Sequence, residues 1–290
     1  MTATTILVHG RGEQSQDPVS LEIVWEEAFL KGLAAGGMVH PPPRERILFP
    51  FYGDLYESYA AALRQPVTVE EKRERLDFER EVASLIQRKI ERRKKRPLPR
   101  RRKAPAAARF YDPVLEWLDR VPGFSRGFIR LAFRDIHDYL SNRGGLRDRT
   151  MARIFEPIRN IGEGKVIIVA HSLGSIVTYD ILNTHAEVRI DLYVTLGSPL
   201  GIDHAIRDRL LADRAGRRDA PAGVRAWINF ADPDDFVALD ERLADDFRKD
   251  GAPFVRDIRV RNPRGKNRSP HDSVGYLTQR LLGIEIGKAL

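Results

Sequence analysis

Six short apolar runs recur along the chain, at 4–9, 46–51, 165–170, 191–196, 225–230 and 254–260. Most are rich in β-branched residues and close to continuously apolar, as in TTILVH and KVIIVA, the pattern of strands covered on both faces. Between them lie stretches whose apolar positions return every three or four residues, at 21–35, 150–161, 172–185, 203–215 and 273–282. Strands alternating with helices long enough to cross back predict an α/β fold: a mostly parallel sheet with helices on both faces.

One interval breaks the rhythm. Residues 53–144 contain no convincing strand and are far longer than an α/β connection needs, which predicts a largely helical insertion into a core made of 1–52 and 145–290. Within it, Leu76, Val82, Ala83, Ile86 and Ile90 form a narrow stripe among charges, as on a long surface helix ended by Pro97 and Pro99. A second stretch carries Phe128, Leu131, Phe133, Ile136, Tyr139 and Leu140, more apolar bulk than a solvated helix requires. It must cover something.

Composition narrows the class. The 42% hydrophobic and 31% charged residues are those of an ordinary soluble domain, and no apolar run approaches the roughly 20 residues of a membrane span. The start, MTATTILVHG, lacks the basic and apolar regions of a signal peptide, and there is no cysteine, so a cytoplasmic protein without thiolate chemistry is expected. The net charge of +8 is local: the tract 88–103 carries +10 and the remaining residues together −2. The basic character therefore says nothing about the main fold.

Chemistry concentrates where the apolar runs end. The run KVIIVA leads into AHSLG, with Ala170 and Gly174 flanking Ser172 at two positions on either side. Small residues there let a strand turn into a helix so tightly that a serine Oγ is projected over the sheet edge, and the helix start favours negative charge developing beside it. The amide of Leu173 is one expected oxyanion donor. The first run ends in VHGRG, a glycine-flanked loop suited to the second donor, for which the main chain of Arg11 is the candidate; His9 is expected to hold the loop. A base is expected at His271 in SPHDSVG, with His204 in reserve. For the acid that orients it, INFADPDDFV offers carboxylates just past a strand; Asp235 comes first, because Asp-x-Val returns the chain to the core, and Asp232 second.

In the order VHGRG, AHSLG, DPDDFV, SPHDS, the chain resembles the α/β-hydrolase superfamily of serine hydrolases, whose triad runs nucleophile, acid, histidine. VTLGSPLG at 194–201 is also similar to a loop of lipase-like members with an HSLG elbow, while 53–144 matches no pattern of the family. The resemblance implies an esterase-like or lipase-like enzyme with Ser172 as nucleophile, His271 as base and Asp235 as orienting acid. Neither metal nor organic cofactor is implied. The expected substrate is a small acyl ester, with thioester and amide hydrolysis open on the same parts. The stretch 128–140 would then be a lid over an acyl chain, or a face packed on the core or on a second copy. A different class stays open, a binding module using the basic tract on an anionic membrane surface or on nucleic acid; the tract lacks the aromatic interleaving of a single-strand binder.

Overall fold

The computed structural model describes residues 3–10, 17–62, 68–94, 126–211, 220–263 and 269–290, and leaves the side chains at 60–62, 93–94, 126–128, 130, 204 and 211 undescribed. Its centre is a six-stranded, wholly parallel sheet. In chain order the strands are β1 (Ala3–Val8), β2 (Ile47–Leu48), β3 (Lys165–His171), β4 (Leu192–Leu196) and β5 (Trp227–Ala231), then, beyond a two-stranded ribbon of β6 (Arg248–Lys249) and β7 (Ala252–Pro253), β8 (Val255–Arg259). They lie side by side as β2-β1-β3-β4-β5-β8.

The strands are apolar throughout because each is covered twice. Along β1, Ile6 and Val8 face one core and Leu7 the other; along β3, Val166, Ile168 and Ala170 share the first, and Ile167 and Val169 the second. This two-residue period sends alternate side chains to opposite faces of the sheet. The second core is closed by α1 (Pro18–Ala35), by the C-terminal helices α7 (Ser273–Leu277) and α8 (Arg280–Ala289), and by buried Trp25, Phe29 and Leu33. Helix α1 starts with Asp17 accepting from the Ser20 N–H at 2.8 Å and with a proline in its first turn, both helix-start signals.

The first core is larger, since α2 (Gly53–Ala62), α3 (Val69–Lys94), α4 (Arg126–Leu140), α5 (Leu146–Arg159) and α6 (Leu173–Thr184) contribute to it together. Helix α3 opens with a reciprocal cap: the Thr68 N–H donates to Glu71 Oε2 at 2.8 Å, and the Glu71 N–H donates to Thr68 Oγ1 at 3.1 Å. Its apolar stripe is packed, with Phe78, Val82, Ala83, Ile86 and Ile90 buried in the same core as α6, while most of its other side chains are exposed or half-buried. Leu76, expected on that stripe, is exposed. Ile129, Ala132, Phe133, Ile136 and Tyr139 of α4 are likewise in this core. Tyr139 Oη and Arg147 also donate to the buried Asp180 of α6, tying α4 and α5 to it. Pro97, Pro99 and positions 95–103 of the basic tract lie outside the described residues.

Candidate active site

The direction of the chain changes between β1 and β3. From β1 it passes to β2 on one side, whereas from β3 it passes to β4 on the other, so the loops leaving the adjacent carboxyl ends of β1 and β3 part, at the point of the sheet where open α/β folds bind their ligands. Ser172 stands there, between β3 and α6, with φ 52° and ψ −125°. This is the backbone of the first central position of a type II′ turn, where glycine is usual, so the serine is held in a strained conformation. Its neighbours make the room: a Cβ on Gly10 would lie 2.7 Å from both Ser172 Cβ and His171 Nδ1.

The Ser172 N–H donates to Leu196 O at 3.0 Å and anchors the turn to β4. Leu173 is the first helical residue, so its N–H has no partner within the helix and lies at the helix's positive end. The Ser175 hydroxyl donates to Ser172 O at 2.6 Å, which leaves Ser198 to donate to Ser175 Oγ at 2.7 Å. Of the other expected donor loop, His9 and Gly10 are described, whereas Arg11 lies outside the described residues. His9 is clamped. Its Nδ1 donates to Gly10 O at 2.8 Å, its Nε2 accepts from the Tyr52 N–H at 3.2 Å, and its ring stacks on Tyr52 at 4.1 Å.

His271 and Asp235 come from separate loops to this point. His271 Nε2 is 2.9 Å from Ser172 Oγ, and His271 Nδ1 is 2.7 Å from Asp235 Oδ2. All three residues are buried. Burial alone would raise the Asp235 carboxyl, but His271, the Val237 N–H and Lys89 outweigh it and hold the group below the usual carboxylate range. An ionised Asp235 makes His271 Nδ1 the N–H and leaves Nε2 to accept the Ser172 hydroxyl proton. The carboxylate is held on both oxygens: Oδ1 accepts from the N–H groups of Val237 at 2.8 Å and Ala238 at 3.2 Å, and Oδ2 also accepts from Tyr276 Oη at 2.9 Å. Gly197, at φ 54°, completes the fit, because a Cβ there would lie 2.8 Å from Asp235 Oδ2 and 3.1 Å from His271 Nδ1.

Asp232 faces elsewhere. Its Oδ1 accepts from the Asp234 N–H at 2.8 Å and its Oδ2 from the Asn262 N–H at 2.6 Å. The reserve base His204 belongs to a π-helical turn at Asp203–Arg207, and its side chain lies outside the described residues.

Two supporting side chains escaped the sequence reading. Asn262 Nδ2 donates to Pro270 O at 2.8 Å and Asp272 O at 3.3 Å, and His171 Nε2 donates to His271 O at 3.0 Å. Three consecutive carbonyls of the His271 loop are thus each held by a buried side chain, and Asp232 in turn holds Asn262. No local signal near His171 gives its partner a hundred residues on. Burial, and then the neighbouring His271, push His171 well below the ordinary histidine range, so it donates as a neutral ring.

A buried carboxylate, imidazole and hydroxyl in hydrogen-bonded sequence beside a helix start can pass a proton from the hydroxyl and receive negative charge nearby. Among the described residues no group of three or more histidines and carboxylates is placed to hold a metal ion, and no helix is long and apolar enough to cross a membrane. Comparison of the chain with models of protein families, with curated proteins and with solved structures finds no match.

Proposed function

We propose that the chain is a serine hydrolase of α/β-hydrolase fold that cleaves a carboxylic ester through an acyl-enzyme. The observation that carries this reading is the continuous relay from Ser172 Oγ through His271 to Asp235, at 2.9 and 2.7 Å, on a serine at positive φ. In the reaction Ser172 Oγ attacks the acyl carbon while its proton passes to His271 Nε2. The electron pair of the carbonyl moves onto its oxygen, which the N–H groups of Leu173 and Arg11 receive. Collapse of this intermediate expels the alcohol, protonated by His271, and leaves the acyl group on Ser172. Water then repeats the sequence, giving its proton to His271, and the acid departs as Oγ recovers its own. Asp235 stays ionised throughout and stabilises the imidazolium. The helices at 53–144 are an insertion into this fold. Burial of the apolar face of α4 in the core beneath α6 favours packing over a free lid.

The test is covalent. A fluorophosphonate probe should label Ser172 and lose its target in Ser172→Ala, and a series of p-nitrophenyl esters, run beside thioesters and amides, should show turnover greatest for an ester. Labelling that persists in Ser172→Ala, or no turnover across the series, would overturn the proposal.

A further inference from the structure

We propose that Lys89 of α3 is a positioning residue for Asp235, so that the helices between β2 and β3 share in catalysis; this rests on the triad reading above. Phe78, Val82, Ile86 and Ile90, four residues apart and buried, fix the rotation of α3 about its axis. That rotation turns Lys89 toward the acid loop. A surface lysine spreads its head into water, but the Lys89 side chain is only 10% exposed. Its Nζ donates to Asp235 O at 2.9 Å and to Ala238 O at 2.7 Å, and Glu241 Oε1 stands 4.0 Å away.

Those two carbonyls open and close the turn 235–238, and the Val237 and Ala238 N–H groups of the same turn donate to Asp235 Oδ1. The ammonium therefore grips the carbonyls of the turn while the Asp235 carboxylate grips its amides. Neither can tilt without loosening the other, and any tilt moves Oδ2 against His271 Nδ1. The positive charge also contributes to keeping Asp235 ionised. Lys89 lines a cavity of about 540 Å³ between α3 and the acid loop, with Leu85, Leu239 and Asp240 also on its walls. Loss of the lysine would admit water to the back of the turn.

The experiment compares Ser172 labelling and p-nitrophenyl acetate turnover in the wild type, Lys89→Met, Asp235→Asn and the double variant, with Lys89→Arg as the conservative change. Misplacing the acid should lower kcat by about thirty-fold in Lys89→Met with KM unchanged, because Lys89 acts on geometry and not on substrate. In the Asp235→Asn background the same change should matter less than about two-fold, since there is no carboxylate left to position. Lys89→Arg should recover most of the activity. Equal losses in both backgrounds would make Lys89 a general packing residue, and unchanged kcat in Lys89→Met would also overturn the inference. Lys89→Gln, uncharged but able to donate, is carried through the same comparison so that a poorly folded Met variant does not decide the outcome. Failure of the wild type itself to label at Ser172 would instead sink the triad reading on which the proposal stands.

Discussion

Asp232 and Asp235 are three residues apart on one loop, and their work differs because their carboxylates face different partners. Asp235 has Oδ2 on His271, whereas Asp232 spends both oxygens on backbone amides of Asp234 and Asn262. An amide at 235 would present the wrong hydrogen-bonding pattern to the imidazole and favour the unproductive tautomer. Asp235→Asn is therefore expected to lower kcat/KM for a short p-nitrophenyl ester by about 10⁴-fold, with the protein still folded by circular dichroism. Asp232→Asn retains an oxygen acceptor, and the carboxylate it replaces touches neither His271 nor Ser172, acting on the His271 loop through Asn262, so a loss under about ten-fold is expected. The reverse ranking would move the orienting acid to Asp232.

Between local pattern and final packing, what was legible depended on how far away the deciding partner lay. The parallel strands were readable because apolar runs buried on both faces need no distant information. The loops carrying Ser172, Asp235 and His271 followed from where those runs stop. Strand β2 is shorter than its apolar run, since past Leu48 the rings of Phe49 and Phe51 turn to stack on His9 at 5.5 and 5.2 Å. Leu76 was misread as part of the α3 stripe: it lies two residues, about 200°, around the helix from Phe78, which takes its place in the core. The stretch 273–282 reads as one helix but breaks at Thr278 and Gln279, where Gln279 Nε2 reaches Asn262 Oδ1 and Arg261 O at 3.1 Å each. The helix expected at 203–215 begins as a π turn at Asp203–Arg207 and is described as far as Leu211, its remainder lying outside the described residues; Arg207 is a fully buried guanidinium paired with Asp203 and Asp246. Lys89 and Asp235 are 146 positions apart, and nothing near either announces the other.

For the folded protein taken together, the buried groups around the triad contribute to the response to acid. His171 has its folded pKa depressed by burial, while in the unfolded chain it titrates near roughly 6.5. Its contribution to stability is complete above that value and is lost as pH falls from there toward the folded pKa, because the unfolded chain takes up a proton that the folded one refuses. Asp235, also depressed, adds the same sign of dependence lower down, below about 3.9. Thermal unfolding followed between pH 7.5 and 5 should show a falling midpoint, and His171→Gln should flatten that decline; a midpoint independent of pH over this range would contradict the assignment. The backbone of Ser172 has a consequence of another kind. Glycine adopts positive φ freely, whereas serine at φ 52° holds a strain on the order of 1–3 kcal/mol, partly offset by the greater freedom of glycine in the unfolded chain. Ser172→Gly is expected to be inert toward the fluorophosphonate yet to melt about 2–4 °C higher than the wild type in a thermal scan, and a lower midpoint would show that the turn is relaxed with serine in place. A heat-resistance screen blind to turnover would accordingly enrich dead protein at this codon, and only a paired selection for activity would keep the serine.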